Sequence, residues 1–166
     1  MGRVSQTLYA DQATPDGLAN HDRAVHMLGD VWMRDPYIHL HTDGWYYLTC
    51  TRLGNITGGE QGVEMWRSRD LSQWESLGVP WTYSDSSWLH TVKRKPTDKK
   101  PDFWLWAPEV HFIDGRWVTV HTTNRGRANL LTTEGPSFSA PFREPFDVDF
   151  GKRHDPSIFT DVDDRH

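Results

Sequence analysis

Cysteine is almost absent from the 166-residue chain. Cys50 stands alone, which excludes an intramolecular disulfide and any cysteine-based zinc site. Large apolar residues are scarce as well: Leu, Ile, Val and Phe make up about a fifth of the chain, near the level at which disorder competes with folding. No apolar run approaches the ~18 residues a membrane helix needs, so no membrane partner is expected. Residues 1–30 are polar, carry Asp11, Asp16, Asp22 and Asp30, and hold no apolar signal-peptide core. They read as an irregular lead-in, and a cytoplasmic location is the default expectation. A net charge of −5 argues against general nucleic-acid binding. The basic cluster Lys93-Arg94-Lys95 with Lys99-Lys100 surrounds Pro96 and reads as a solvated loop.

What the chain does have is aromatic side chains. Trp, Tyr and Phe account for 13% of the residues, including nine Trp, enough to favour a packed, aromatic-rich fold. Pro36 to Thr51 gives an apolar stretch, a turn at Asp43-Gly44 and then Trp45-Tyr46-Tyr47-Leu48, a strong hairpin signal. Cys50 falls inside this alternating run as a small core residue. Val63 to Ser68 alternates with period two, as a half-buried strand should. Arg69 to Trp74 reads as a turn that Leu71 and Trp74 could pin to the core.

The same start then recurs. Ala107-Pro108-Glu109-Val110 leads to Asp114-Gly115 and Trp117-Val118-Thr119-Val120, and Asp155-Pro156-Ser157-Ile158-Phe159 begins a third copy. Pro36, Pro108 and Pro156 mark these starts, and no convincing amphipathic helix separates them. Repeats of this size, each holding several antiparallel strands, point to the blades of a β-propeller. The expected blades are about 31–100, about 101–150 and the start of a third at 151–166.

Asp35 and Asp155 each precede a proline at a strand start. Equivalent positions of a propeller converge at one end of the channel, so the two carboxylates could share a pocket. Paired carboxylates are what glycoside hydrolysis requires. The competing structural reading is that Asp caps each strand entry because blades repeat.

Four segments carry a resemblance. They are Arg34-Asp35-Pro36-Tyr37-Ile38 with Asp43-Gly44-Trp45, Trp66-Arg67-Ser68-Arg69-Asp70-Leu71-Ser72-Gln73-Trp74, Trp106-Ala107-Pro108-Glu109-Val110, and Asp155-Pro156-Ser157-Ile158-Phe159. In this order and spacing the chain resembles glycoside hydrolase family 43. These are five-bladed propellers that act on arabinose-, xylose- and galactose-containing polysaccharides. The resemblance implies an all-β fold, here the N-terminal two and a half blades, and inverting hydrolysis of O-glycosidic bonds. It makes Asp35 the general base that activates water and Asp155 the carboxylate that tunes the acid and orients the sugar. Trp106 would be the sugar platform, with Arg34, Glu109 and His154 around the substrate. The acid itself is expected to be a fourth-blade glutamate beyond this chain. Glu134 reads as a surface turn residue and Glu109 chiefly as a strand-start residue. No organic cofactor is implied, although a channel calcium ion occurs in some members.

Other groups carry less. His39 and His41 share a strand face without a third ligand and read as strand histidines. Asp161, Asp163 and Asp164 lack the glycine and glutamate of an EF-hand and suit a hairpin tip. The expected partner is an oligo- or polysaccharide, with self-association through the open propeller edge at Ile158-Phe159. A non-catalytic carbohydrate-binding propeller remains the alternative. A sucrose- or fructan-cleaving relative would show Asn-Asp-Pro first and Arg-Asp-Pro third, whereas Arg34-Asp35-Pro36 and His154-Asp155-Pro156 stand here.

Overall fold

The structure is a computed structural model that describes residues 33–52, 61–87, 104–124, 127–146 and 150–161. The lead-in, the basic cluster at 93–100, Asp163 and Asp164 lie outside the described residues. Strands β1 (Met33–Leu40), β2 (Tyr46–Arg52), β3 (Gly62–Ser68) and β4 (Trp74–Thr82) form an antiparallel sheet in chain order, ending in a short 3-10 turn at Tyr83–Asp85. Strands β5 (Leu105–Ile113), β6 (Arg116–Thr123) and β7 (Ala128–Thr132) form a second antiparallel sheet. A bridge between Thr132 and Arg143 adds one rung at its outer edge. Strand β5 packs against both β1 and β2. Two such meanders, face against face, are successive blades of a β-propeller.

Both Asp-Gly pairs make hairpins, but of different length. Ile113 pairs with Arg116, leaving a two-residue turn in which Asp114 (φ 48°) and Gly115 (φ 73°) are both left-handed. That is the turn whose twist matches antiparallel strands. In the first sheet Leu40 pairs with Tyr46, so the loop is longer. There the Asp43 carboxylate closes the loop by accepting the Trp45 amide N–H (2.9 Å) and the Tyr47 hydroxyl (3.0 Å).

The inner strands are buried on both faces rather than one. Tyr47, Val63 and Met65 join Trp81, Leu105, Val110, Trp117 and Leu131 in the core between the sheets. Leu48, Cys50 and Trp66 form a second cluster on the other face of the first sheet, with Met33 and Trp74 against it. The alternation of Val63 to Ser68 therefore does not mark a half-buried strand, since Glu64 and Trp66 are as buried as their neighbours. Glu64 faces Arg52 at 3.6 Å, and the Arg52 guanidinium lies over the Trp66 ring. Between β3 and β4 the chain approaches itself closely. A Cβ on Gly62 would run into the Trp81 carbonyl oxygen, so only glycine fits there.

Trp74 packs as expected, but Leu71 is 40% exposed and does not pin the turn. Side-chain caps hold it instead. Ser68 Oγ accepts the amides of Asp70 and Leu71, and Asp70 Oδ1 accepts those of Ser72 and Gln73. Such caps replace the ladder bonds a tight turn forgoes.

Trp117 is the keystone of the inter-blade core. It is buried, its ring lies 4.4 Å from Tyr47, 4.8 Å from His41 and 5.1 Å from Phe138, and its indole N–H donates to the Pro136 carbonyl. His39 and His41 are thus half-buried members of an aromatic cluster. Burial, and then the neighbouring His111 and His41, push His39 down to about 4. Full burial beside Trp81 pushes His121 down to about 3. Polar ties reinforce the packing: Glu144 accepts from Ser86, Ser87 and Asn129, joining the end of the first sheet to β7.

Two expected outcomes test this packing. Trp117→Ala should lower unfolding free energy by about 3–5 kcal/mol, whereas Leu71→Ala should change it by less than about 0.5 kcal/mol; urea titration separates them. The histidines set an acid dependence of definite sign. Unfolded His39 and His121 take up protons near their ordinary 6.5, while the folded forms resist until about 4 and about 3. Stability is full above about 6.5 and falls as pH drops toward those values, with a slope of up to ~1.4 kcal/mol per pH unit for the buried His121. His121→Phe should flatten that slope between pH 6 and 4 in urea titrations at stepped pH. An unchanged slope would remove His121 from the account.

Candidate active site

Each blade start in this chain places a non-glycine residue in the left-handed region directly before proline. The values are φ 51° at Asp35, 44° at Ala107 and 47° at Asp155. Proline disfavours the ordinary helical region for the residue before it, and left-handed backbone is costly for a residue with a Cβ. In the two resolved ladders the register slips at the same point, between Arg34 and Tyr37 and between Trp106 and Glu109. The outcome is a kink that takes the residue before proline out of the ladder.

A threonine on the second strand of each blade holds the kink of the next. Thr51 Oγ1 accepts the amide N–H of Ala107 at 2.6 Å, and Thr122 Oγ1 accepts that of Asp155 at 2.8 Å. Within their own sheets Thr51 pairs with Arg34, and Thr122 with Trp106. Thr51 also donates its hydroxyl proton to Asp35 Oδ2 at 2.8 Å. Nearby, the Thr49 hydroxyl donates to the Pro108 carbonyl.

These clasps fix where the expected site residues stand. Asp35 and Ala107 are joined through Thr51, and Trp106 and Asp155 are both neighbours of Thr122. The Trp106 ring stacks on His154 with 6.2 Å between centroids and 24° between planes. Arg34, Asp35, His154 and Asp155 are exposed, and Trp106 is half-buried. Among the described residues Asp35 has no ion-pair partner, and the group touching its carboxylate is the neutral Thr51 hydroxyl. Glu109 belongs to a different connection. Its Oε2 accepts from Ser157 Oγ (3.0 Å) and the Ile158 amide (3.3 Å) and lies 3.2 Å from His111 Nε2. His111 Nδ1 in turn lies 3.3 Å from the Tyr37 hydroxyl, so the link runs from the first sheet to the third start. Glu134 is exposed, 3.4 Å from Arg143.

Residues 150–161 form no strand; a bridge from Lys152 to Arg127 and bonds to Thr122 and Glu109 are among the contacts that hold them. The strand expected at Ile158-Phe159 has no ladder partner among the described residues, and Phe159 is 77% exposed. Also among the described residues, no group of three or more His, Cys, Asp or Glu side chains is arranged to hold a metal ion.

Sequence reasoning missed the threonines. A signal exists: Thr51 follows Asp43, and Thr122 follows Asp114, by the same eight positions.

The description of glycosyl hydrolases family 43 matches residues 29–166. The chain belongs to this family. It is 30% identical over 104 residues to alpha-L-arabinofuranosidase 43 of Humicola insolens, a match covering 61% of the chain and 18% of that protein. It is 34% identical over 83 residues to an extracellular exo-alpha-(1->5)-L-arabinofuranosidase of Streptomyces chartreusis, covering 50% and 21%. Among solved structures, a thermostable family-43 glycoside hydrolase superposes with TM-score 0.56 at 27% identity, covering 82% of the chain and 40% of its own. An endo-1,4-beta-xylanase of Bacteroides thetaiotaomicron VPI-5482 gives TM-score 0.59 at 22% identity, covering 81% and 40%. The family-43 chain thus spans about a fifth of the curated relatives it matches.

The Thr122 clasp has a local signature. Thr122→Val keeps the β-branched shape but removes the acceptor, so the Asp155 amide should exchange with deuterium much faster while Val120 and Leu131 keep their protection. Unchanged exchange at Asp155 would mean that the clasp does not hold this segment.

Proposed function

We propose that the protein hydrolyses O-glycosidic bonds of arabinose-, xylose- or galactose-containing oligo- or polysaccharides, with inversion at the anomeric carbon. The observation that carries the reading is the shared backbone placement of Asp35 and Asp155. Two carboxylates occupy the same kinked backbone position before proline in blade starts of a family-43 propeller, Asp155 held through its amide by Thr122 and Asp35 through its carboxylate by Thr51. Asp35 is the general base: its Oδ2 is occupied by Thr51, and Oδ1 has no hydrogen-bond partner among the described residues and can accept a proton from water. Asp155 tunes the acid and orients the sugar. The Trp106 indole, backed by His154, offers a flat face to sugar C–H groups, and Arg34 reaches sugar hydroxyls from the exposed strand start. Glu109 borders this region while tying the third start to β5.

The leaving oxygen needs a proton from a second carboxyl, about 6.5–9.5 Å from the base so that water fits between them. Glu134 is an exposed turn residue and Glu109 is engaged as an acceptor, and the resemblance to family 43 implies a fourth-blade glutamate outside these 166 residues as the acid. The names of the relatives, arabinofuranosidases among them, support arabinose as the first sugar to test.

The test uses the full-length gene product with 4-nitrophenyl α-L-arabinofuranoside and β-D-xylopyranoside. Asp35→Asn should lower kcat by about 10²–10⁴-fold with an unchanged circular dichroism spectrum. Proton NMR of the first-formed sugar should show the inverted anomer. Native turnover by a folded Asp35→Asn protein would remove the base assignment, and a retained anomer would remove the mechanism. Sugar binding without any turnover would make the chain part of a carbohydrate-binding protein.

A further inference from the structure

The two clasping threonines are not equivalent, and the difference falls on the carboxylate proposed as base. A hydroxyl has one proton to give and two lone pairs to receive with. At Thr51 the Ala107 amide occupies the acceptor side at 2.6 Å, and the hydroxyl proton goes to Asp35 Oδ2 at 2.8 Å. At Thr122 the acceptor role is the same, toward Asp155, but the blade-start residue of its own sheet is Ala107, which has no carboxylate to receive the proton. We propose that Thr51 is a positioning residue for Asp35, a hydroxyl oriented by the second blade that fixes one oxygen of the base and leaves the other for water.

The geometry determines what this does. The Ala107 amide belongs to the backbone of the neighbouring blade, and the Pro108 carbonyl beside it receives Thr49. The Thr51 hydroxyl is therefore not a free rotor, because turning its proton elsewhere would forgo an ionic acceptor. Asp35 is exposed and has no ion-pair partner among the described residues, so without Thr51 its carboxylate could rotate about χ2 in water. A base must stand within hydrogen-bond reach of the proton it removes, and a misplacement of about 1 Å can cost ~10²-fold in rate. The register of blade one against blade two is thereby written into the orientation of the base.

This inference rests on Asp35 being the base, and the experiment separates the two. In the full-length gene product, Thr51→Val should let the Asp35 carboxylate leave its position in a crystal structure. It should also lower kcat by about 10–10²-fold with KM little changed. Thr51→Ser should restore both. Thr51→Cys, a weak donor of similar size, should fall between them and serves if the valine variant does not fold. In an Asp35→Asn background, Thr51→Val should cost no further rate. Native kcat in Thr51→Val or Thr51→Cys, or a loss that Thr51→Ser fails to restore, would overturn the inference while leaving the base in place. If Asp35→Asn keeps native turnover, the base assignment fails instead, and the crystallographic position of the carboxylate still decides whether Thr51 positions it.

Discussion

The structure depends on one hydrogen bond made twice: a threonine on the second strand of a blade accepts the amide that precedes the first proline of the next. That amide belongs to a residue in left-handed backbone, where an L side chain is strained by roughly 1–3 kcal/mol. The strain persists because its surroundings over-determine it. The ladder slips by a bulge on one side, proline fixes the other, and the threonine takes the N–H that the kink removes from the ladder. Blade-to-blade register and strand-start geometry are in this way a single constraint.

Hydrophobic packing completes what the clasp begins. The same face of β2 carries Tyr47, Thr49 and Thr51, so one strand gives an aromatic ring to the inter-blade core and two hydroxyls to the inter-blade backbone. Further along β1, His39 and His41 pack with Tyr47, Phe112 and Trp117 rather than facing water. Neutral imidazoles are tolerated there at the cost of acid stability, since burial holds His39 and His121 deprotonated well below their ordinary range. The sheet interface is thus tight at neutral pH, and the exposed carboxylates stand at its edge.

Much of this was legible in the residues. The two Asp-Gly hairpins, the buried Cys50, the recurring x-Pro starts and the propeller class all follow from patterns with a period or a fixed turn chemistry. The resemblance to family 43 rests on four segments in order, and the family match over residues 29–166 bears it out. What the pattern could not carry is equally physical. Alternation at Val63 to Ser68 suggested one buried face, but a propeller covers both faces of its inner strands, and burial of Glu64 depends on Arg52 from a different strand. Leu71 looked like a core anchor because it is apolar, yet the turn is closed by Ser68 and Asp70, whose bonds to backbone amides have no hydrophobic signature. Thr51 and Thr122 were hidden for the same reason. A threonine in a strand is unremarkable until its partner is known, and the partner is 33 or 56 residues away.

The repeated kink also separates scaffold from chemistry. The backbone at Asp35, Ala107 and Asp155 is nearly the same, and the fold accepts either an alanine or an aspartate there. Aspartate tolerates left-handed backbone better than most residues, so a carboxylate at this position is favourable for the fold as well as available for chemistry. The alanine at the second start shows that the fold does not require it. What the carboxylates share is therefore a position whose geometry is already fixed for structural reasons, at an end of the strands where side chains leave the ladder and face solvent. A preorganised group needs its supporting shell to be rigid. Here that shell is the contact between blades, so loosening the blades and disordering the carboxylates are the same event.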